Sequence, residues 1–259
     1  MLFPGEKGLE KGAESTYNVS APGKEKRRGR ETIASRRGRA LGKKDSFMKA
    51  AVFGAGNMGL DIAQVFAVKG HDVVVRDISD ELIQKGEERL KVSLARQVEK
   101  GRRTQAEADA ISAKIVFTTN MRQAADADLI VEAIVENVSI KKDLFRQLDT
   151  IVKPEAIFAT NTSSISPTEL ASATKRADRF IGMHFFNPAT VMKLIEVIRG
   201  ANTSQETFTT VYELAESLGK EPIEVAEAPG FVVNKILIPM INEAIGLVET
   251  GVATPEDID

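Results

Sequence analysis

The sequence AAVFGAGNMGLDIAQVFAVKGHDVVVRD, residues 50–77, holds the clearest structural signal in the chain. An apolar run leads into three glycines with G-x-G-x-x-G spacing, Gly54, Gly56 and Gly59, and a helical pattern follows them. Asp77 closes the next apolar run, about 20 residues further on, where dinucleotide-binding units place an acidic residue. This order of strand, glycine turn, helix and strand predicts a Rossmann-type βαβ unit.

The three glycines have separate predicted tasks. Gly54 permits a tight turn, Gly56 allows close approach of a pyrophosphate, and Gly59 allows close packing of the helix on the strand. The helix N-terminus, at Asn57 and Met58, would stabilise the phosphate charge and belongs to the predicted cofactor site. An ordinary glycine turn is the alternative.

The acid at the end of the second strand predicts which dinucleotide binds. A carboxylate at Asp77 would accept a hydrogen bond from the ribose 2′-hydroxyl of NAD and would repel the 2′-phosphate of NADP. Arg76 beside it would counter that repulsion, so NADP remains an alternative to NAD.

Short apolar runs alternate with longer helical patterns from Met48 onward, which is typical of an α/β fold with a parallel sheet. The strands are predicted at residues 49–53, 72–76, 115–118, 128–134, 156–160, 180–186, 193–198 and 222–226. Near the end of the chain, the segment VVNKILIPMINEAIGLVETG is apolar on nearly every side and predicts a buried helix. We therefore expect a doubly wound, mostly parallel Rossmann-type domain over residues 48–228 and the start of an all-α domain over residues 229–259.

A long amphipathic helix is predicted between the second and third strands. Its apolar stripe recurs every four residues, at Leu82, Gly86, Leu90, Leu94 and Val98. This helix is longer than a crossover between parallel strands requires, so it forms a helical insertion in the fold.

The composition restricts the class of protein. The 259 residues contain no cysteine, so disulfides, thiolate metal sites and cysteine nucleophiles are excluded, and a cytoplasmic location is expected. No apolar run reaches the roughly 18 residues of a membrane span, and a net charge of −2 gives no general attraction to nucleic acid. A small molecule is the expected partner.

Residues 1–47 are rich in Lys and Arg and lack apolar periodicity, so they are predicted to be a disordered leader. A transit peptide is the weaker alternative, since such peptides avoid acids and this segment contains several, including Glu6 and Glu10. We expect Met48 to be the true start and the leader to be an artefact of start-site choice, because a strand begins there at once.

The chain has two histidines, and one of them lies in a strand-like run. His184 occupies GMHFFNPATVMKLIEVIRG, residues 182–200, with Glu196 twelve residues on. A hairpin centred near Thr190 would place the two side chains opposite each other with Cβ atoms about 5 Å apart, so that the carboxylate fixes the tautomer of a catalytic base. The alternative is a core histidine without a catalytic role, whose hydrogen bond to a glutamate is coincidental. His71, in the polar turn KGHD, is interpreted as a solvated loop residue.

Polar side chains collect after one predicted strand and inside one apolar helix. Asn161, Thr162 and Ser163 follow the strand at 156–160, at the carboxyl edge where open α/β sheets bind ligands. Asn234 is a lone amide in an apolar helix, and a buried amide needs a partner. A structural hydrogen bond and a role in the site are both open for Asn234.

Four segments together resemble the 3-hydroxyacyl-CoA dehydrogenase family: FATNTSS, GMHFFNPATVMKLIEVIRG, TSQETF and EVAEAPGFVVNKILIPMINEAIGLVETG. The resemblance extends from Met48 to Asp259. It implies an NAD(P)-dependent oxidoreductase of fatty acid and butanoate metabolism that interconverts (S)-3-hydroxybutyryl-CoA and acetoacetyl-CoA without a metal.

The resemblance also implies catalytic roles for particular residues. His184 would be the general acid/base at the 3-oxygen of the substrate, and Glu196 would be its orienting partner. Ser163 and Asn234 would hydrogen-bond the reacting oxygen and the thioester region.

Other matched positions would bind the cofactor and the substrate. Asn161 would lie by the nicotinamide ribose, and Glu136 and Lys141 would line the cofactor cleft. Ser93 and Lys100 would contact the acyl-CoA. These two residues share one face of the long helix, where Lys100 could meet a CoA phosphate.

Two departures from the family pattern matter. Asp61 stands where the family usually has a small residue, so packing near the pyrophosphate is expected to differ. The chain stops at TPEDID, where the family continues through further helices that complete the acyl-CoA pocket and the homodimer, so the helix at about residues 231–249 is expected to expose apolar surface. A non-catalytic NAD-binding fragment and an L-gulonate-type dehydrogenase of free hydroxy acids are the alternative functions.

Overall fold

The structure of the protein, a computed structural model, describes residues 48–259, so the expectations for residues 1–47 lie outside it. Its β-strands are β1 (Lys49–Phe53), β2 (Asp72–Arg76), β3 (Ile115–Thr118), β4 (Leu129–Glu132), β5 (Ile157–Thr160), β6 (Phe180–Phe185), β7 (Leu194–Arg199) and β8 (Glu221–Ala226). Its α-helices are α1 (Asn57–Val68), α2 (Asp80–Glu99), α3 (Gln105–Ala113), α4 (Val138–Leu148), α5 (Pro167–Ala171), α6 (Gln205–Ser217), α7 (Val233–Glu249) and α8 (Pro255–Ile258). Each strand lies where the sequence predicts it.

All of these strands form one sheet in the order β3-β2-β1-β4-β5-β6-β7-β8. Neighbours are parallel except β6 and β7, which are antiparallel. The chain runs outward from β1 to β3 and then returns to β4 on the other side of β1, so the sheet has a switch point between β1 and β4. Ligands of open α/β sheets bind beyond the carboxyl ends of the strands at such a point. The predicted doubly wound, mostly parallel sheet is confirmed.

Helices cover both faces of the sheet, and each face has its own apolar cluster. On one face, α1 and α2 contribute Ile62, Phe66 and Leu90. On the other face, α4 contributes Phe145, whose ring lies edge-on to that of Phe180 in β6 with centroids 4.7 Å apart. Because the central strands are buried on both sides, their carboxyl ends are held firmly beneath the ligand crevice.

Helix α2 confirms the predicted long helix and corrects its buried face. The side chain of Ser79 caps the helix by accepting a hydrogen bond from the backbone N–H of Leu82, which is itself exposed. The buried residues are Ile83, Gly86, Leu90 and Leu94. Four residues advance around a helix by about 400°, so residues spaced four apart shift by about 40° around the helix axis at each step. At the start of the helix, Ile83 rather than Leu82 is therefore the residue that faces the sheet.

Helix α7 is a second correction. None of its residues is buried against the part of the chain that the structure describes, so the expectation of a buried helix is wrong. Only its first turn hydrogen-bonds to the sheet domain among the bonds found over residues 48–259, which leaves Ile236, Met240 and Ile245 exposed. The exposed apolar surface expected for this helix is therefore confirmed. Between Met48 and Asp259, no helix combines the length and apolar content needed to cross a membrane.

His71 is more enclosed than a solvated loop residue. Its Nδ1 accepts a hydrogen bond from the backbone N–H of Met48 at 3.1 Å, and its ring lies 5.8 Å from that of Phe66. Burial lowers the pKa of His71. This histidine fastens the start of β1 to the turn before β2, so its role is structural.

Candidate functional site

His184 and Glu196 lie opposite each other on the antiparallel strands β6 and β7. His184 Nδ1 is 2.8 Å from Glu196 Oε2, and both side chains are buried. The residues between the two strands reverse the chain, so the hairpin predicted from the sequence is confirmed. A buried carboxylate beside one ring nitrogen fixes the orientation and the tautomer of the imidazole.

The other atoms of this pair have partners as well. His184 Nε2 is 3.1 Å from Ser163 Oγ. Glu196 Oε1 accepts the backbone N–H groups of Val232 and Val233, at 2.9 and 3.0 Å. Since both carboxylate oxygens act as acceptors, Nδ1 of His184 donates, and Nε2 carries the lone pair that can take a proton.

Ser163 lies in the turn after β5, and Glu136 holds that turn. Glu136 Oε1 accepts hydrogen bonds from Thr162 Oγ1 at 2.5 Å, Ser163 N at 3.0 Å and Ser164 Oγ at 3.2 Å. Burial alone would raise the pKa of Glu136, but the hydrogen bonds from Thr162 and Ser163 and the charge of Lys141 outweigh it, so the pKa is lowered. Glu136 is thus a charged acceptor that orders the serine turn.

Lys141 is buried rather than displayed on the surface of the cleft. Its Nζ is 2.6 Å from Glu132 Oε1 and 3.0 Å from Glu136 Oε2, and its side chain is 1% exposed. Thr160 Oγ1 donates to the other oxygen of Glu132 at 2.7 Å. Lys141 therefore supports the site through Glu136. Glu132 was not predicted, and the available signal was a lone acid ending the apolar strand LIVE.

The two predicted amides tie neighbouring elements to this edge of the sheet. Asn161 Oδ1 accepts the backbone N–H of Phe185 at 2.8 Å, which joins the end of β5 to β6. Asn234 Nδ2 donates to the backbone oxygen of Ser163 at 3.3 Å, which joins the first turn of α7 to the serine turn. Asn234 is partly exposed, so the premise of a buried amide is wrong, yet the amide lies beside the predicted catalytic residues.

The glycine turn after β1 has the geometry predicted for a pyrophosphate site. Gly54 has a φ of 110°, and a Cβ on Gly59 would lie 1.9 Å from the carbonyl oxygen of Gly54. A Cβ on Gly56 would meet no atom within 4 Å. No side chain in the described part of the chain caps α1 at Gly56, so the N–H groups of Asn57 and Met58 are open to an anion. These residues fit a dinucleotide pyrophosphate.

Asp77 follows β2 and lies beside the same glycine turn. Its Oδ2 accepts the backbone N–H of Ala55 at 2.7 Å, and its Oδ1 accepts the N–H of Ile78 at 2.7 Å. Arg76 directs its Nε to the carbonyl oxygen of Thr119, 3.2 Å away. Burial lowers the pKa of Arg76, and the charge of Asp77 opposes that change. The carboxylate is therefore fixed beside the glycine turn. The ribose of a dinucleotide bound at that turn would lie next to it.

An open groove of about 650 Å³ runs along α2. The predicted substrate residues Ser93 and Lys100 both line it, as their shared helix face indicates. Its other lining residues are Lys85, Glu88, Arg89, Val92, Arg96, Gln97, Arg102, Thr190 and Val191. The groove is basic, and it adjoins the glycine turn, since Arg89 Nη1 donates to Asn57 Oδ1 at 3.2 Å. The groove arginines were not predicted.

Asp61 contacts the connection between β6 and β7. Burial raises the pKa of Asp61, while hydrogen bonds from the backbone of Thr190 and Ala189 and the charge of Lys220 oppose the change. Lys220 Nζ in turn donates to the carbonyl oxygens of Ala189 and Met192, at 2.5 and 2.8 Å. These two side chains hold the connection that borders the groove.

Comparison with known proteins agrees with this arrangement. The family described as 3-hydroxyacyl-CoA dehydrogenase, NAD binding domain, matches residues 49–228, and the C-terminal domain of that family matches residues 230–259. A 3-hydroxybutyryl-CoA dehydrogenase of Clostridioides difficile is 52% identical over 212 residues, which cover 82% of this chain and 75% of the relative. The mitochondrial hydroxyacyl-coenzyme A dehydrogenase of Homo sapiens is 41% identical over 236 residues, which cover 89% of this chain and 75% of the relative.

A solved structure gives the same result. The crystal structure of (S)-3-hydroxybutyryl-CoA dehydrogenase from Ralstonia eutropha superposes with a TM-score of 0.80 at 48% identity, covering 83% of this chain and 76% of that one. The family match over residues 49–228 includes the sheet that carries the histidine–glutamate pair. The chain belongs to the 3-hydroxyacyl-CoA dehydrogenase family.

Proposed function

We propose that the chain is an NAD-dependent dehydrogenase that interconverts (S)-3-hydroxybutyryl-CoA and acetoacetyl-CoA. The observation that carries the proposal is the buried His184–Glu196 pair, whose Nε2 meets Ser163 at the carboxyl edge of the sheet. The glycine turn after β1 opens on the same edge, so an acid/base group and a dinucleotide site share one crevice. Oxidation of an alcohol to a ketone requires this combination, because one carbinol loses a proton and a hydride.

His184 and its neighbours perform the proton transfer. In the oxidation, His184 Nε2 accepts the proton of the 3-hydroxyl group as the C3–H bond breaks and the C3 carbonyl forms. Bound NAD⁺ supplies the hydride acceptor. Glu196, 2.8 Å from Nδ1, stabilises the positive charge that forms on the imidazole. Ser163 hydrogen-bonds the reacting oxygen and Asn234 the thioester region, and reduction reverses these steps.

The cofactor lies along the glycine turn in this proposal. The residues assigned to this site are Gly54, Gly56, Asn57, Met58, Gly59, Asp77, Glu136, Lys141 and Asn161. Lys141 acts through Glu136, because its Nζ pairs with that carboxylate and its side chain is 1% exposed. Asp77 favours NAD over NADP, since its carboxylate would repel a 2′-phosphate.

The basic groove along α2 is the proposed acyl-CoA site. Ser93 and Lys100 line it, with arginines on the same helix, and cationic side chains suit the phosphates of CoA. A free hydroxy acid, as an L-gulonate-type enzyme would use, leaves these cations without a partner. The groove therefore favours the CoA thioester.

Oxidation of NADH measured with acetoacetyl-CoA and with free keto acids, together with reduction of NAD⁺ measured with free hydroxy acids, tests the proposal. We expect turnover with the CoA thioester and at least about tenfold lower kcat/KM with free acetoacetate, since the groove contacts are lost. Preference for a free acid would contradict the proposal.

NADH binding without turnover of either substrate would instead select a non-catalytic NAD-binding fragment. The exposed apolar face of α7 is the observation that favours this alternative. A homodimer and a place in butanoate metabolism stay predictions from the family resemblance, and a cytoplasmic location stays a prediction from the composition.

A further inference from the structure

Phe231, at the entrance to α7, has a backbone conformation that side chains rarely adopt. Its φ is 51°, and it is the only non-glycine residue with a positive φ between Met48 and Asp259. Gly230 before it also has a positive φ, of 75°. A β-carbon makes this region unfavourable, so a buried phenylalanine keeps it only where the surrounding structure holds it there.

The turn forms a small concavity of backbone N–H groups around Glu196. Val232 follows the left-handed Phe231 with a φ of −101°, in the right-handed region. Consecutive residues of opposite hand turn neighbouring N–H groups to one side, where they bind anions. The N–H groups of Val232 and Val233 both donate to Glu196 Oε1, at 2.9 and 3.0 Å. The first N–H groups of a helix have no acceptor inside the helix, and here the Glu196 carboxylate is their acceptor.

The ring of Phe231 fixes the turn from the other side. It packs with Ile198 of β7 and Val225 of β8 in a cluster separate from the two main ones. Its centroid is 5.8 Å from that of the His184 ring. The side chain thus anchors the turn to β7, the strand that carries Glu196, and to its neighbour β8, and it lies beside the imidazole at the same time.

We propose that Phe231 is a positioning residue for the His184–Glu196 pair, acting through its backbone turn on Glu196 and through its ring on His184. The inference rests on the proposed function, in which this pair is the acid/base group. The contacts are continuous, because Phe231 holds the turn, the turn holds Glu196, and Glu196 holds Nδ1 so that Nε2 meets the substrate oxygen. A displacement of about 1 Å at a catalytic group costs about a hundredfold in rate.

Three substitutions separate the contribution of the ring from that of the backbone. Phe231→Ala removes the ring and leaves a β-carbon in the unfavourable region. Phe231→Gly removes the ring and relaxes the backbone, so it is the variant best able to fold. Phe231→Leu keeps an apolar side chain. Phe208→Ala is the matched control, because Phe208 and Phe231 are both 4% exposed and Phe208 packs against Tyr212 on α6.

Steady-state kinetics is the first readout. We expect kcat for acetoacetyl-CoA reduction to fall by about tenfold or more in Phe231→Ala and Phe231→Gly, with KM within about threefold of the wild type, and Phe231→Leu to recover most of the loss. We expect Phe208→Ala to lower thermal stability and to leave kcat per NADH-binding molecule unchanged. Wild-type kcat in a folded Phe231→Ala or Phe231→Gly variant would overturn the proposal.

Nuclear magnetic resonance is the second readout and needs no turnover. The untagged chain has two histidines, so ¹⁵N-histidine labelling gives ring signals for His71 and His184 alone, and His71→Asn assigns them. We expect the Nδ1–H signal of His184 to shift or broaden in Phe231→Ala and Phe231→Gly and to stay unchanged in Phe208→Ala. An unchanged signal in the Phe231 variants would overturn the positioning role. If the wild-type protein itself shows no turnover but the Phe231 variants still lose the His184 signal, the positioning role is supported and only the dehydrogenase function is contradicted.

Discussion

His184 presents its two ring nitrogens to different neighbours, Glu196 Oε2 at 2.8 Å and Ser163 Oγ at 3.1 Å. The asymmetry is what makes a histidine useful as a base, because the acceptor on one side determines which nitrogen keeps the proton and which offers a lone pair. Glu196 is held in turn by two backbone N–H groups, so the protein itself positions the acceptor that sets the tautomer.

Replacement of His184 tests its role as the acid/base group. In His184→Gln, we expect kcat to fall by about 10²- to 10⁴-fold, the usual contribution of general acid–base catalysis, because the amide cannot exchange the proton. NADH affinity, measured by fluorescence, should stay near wild type, since the glycine turn is unaltered. Retention of more than about a hundredth of the wild-type kcat would contradict this role.

His71 gives a prediction about stability and pH. Because burial lowers its pKa below the ordinary value, the folded protein resists protonation of this ring. Its contribution is fully present above about pH 6.5, the value for an unfolded histidine, and is lost as the pH falls through the lower folded-state pKa. Urea unfolding at several pH values should show a shallower acid-side decline for His71→Asn than for the wild type, since an amide oxygen can still accept from Met48. If the free energy of unfolding declines equally with pH in both proteins, His71 does not contribute to the pH dependence of stability.

At the scale of elements, the turn between β1 and α1 combines two requirements in one short segment. Gly59 allows the helix to approach the strand, whereas Gly56 faces open space where a pyrophosphate would lie. The same amino acid is thus needed at one position for packing and at the other for binding.

Alanine substitutions separate these two requirements. In Gly59→Ala the new Cβ would lie 1.9 Å from a backbone oxygen, so we expect a loss of about 1–3 kcal/mol in the free energy of unfolding. Gly56→Ala should leave the melting temperature unchanged, because its Cβ meets no atom within 4 Å, but should weaken NADH binding by about tenfold or more. Calorimetry and NADH titration of both variants provide the check. Equal NADH affinity in Gly56→Ala and the wild type would argue against a pyrophosphate at this turn.

At the scale of the whole molecule, the sheet domain is closed on both faces while α7 leaves its apolar side uncovered. The sheet domain buries its apolar residues in two large clusters. In contrast, Ile236 and Ile245 of α7 are 65% and 51% exposed. A continuous apolar face of this kind favours association.

Sedimentation of the wild type and of Ile236→Glu/Ile245→Glu tests that consequence. We expect the wild type to self-associate with rising concentration and the double variant to sediment as a smaller species. Its melting temperature should stay close to wild type, because exposed substitutions usually change stability by less than about 0.5 kcal/mol. Ile78→Glu is the control, since Ile78 is exposed but lies in the segment before α2 and is not part of α7. Equal association of all three proteins would show that α7 is not the contact.

Local sequence patterns predicted those features that neighbouring residues control. The β1–α1–β2 unit follows from glycine spacing, and the pairing of His184 with Glu196 follows from alternation along two strands joined by a short reversal. In both cases the partners lie within about 25 residues, so the hydrogen-bond geometry of one βαβ unit or one hairpin fixes their distance.

Only the folded chain determined which side chains are covered and what covers them. Lys141 lies between Glu132 and Glu136 because β4 and α4 are adjacent in space, which turns an expected cleft residue into a buried support. Phe231 has a left-handed backbone, and its ring packs against Ile198 of β7, which lies 33 residues earlier in the chain. The apolar pattern of α7 predicts a helix correctly but cannot say what covers it, since burial depends on elements elsewhere in space rather than on periodicity.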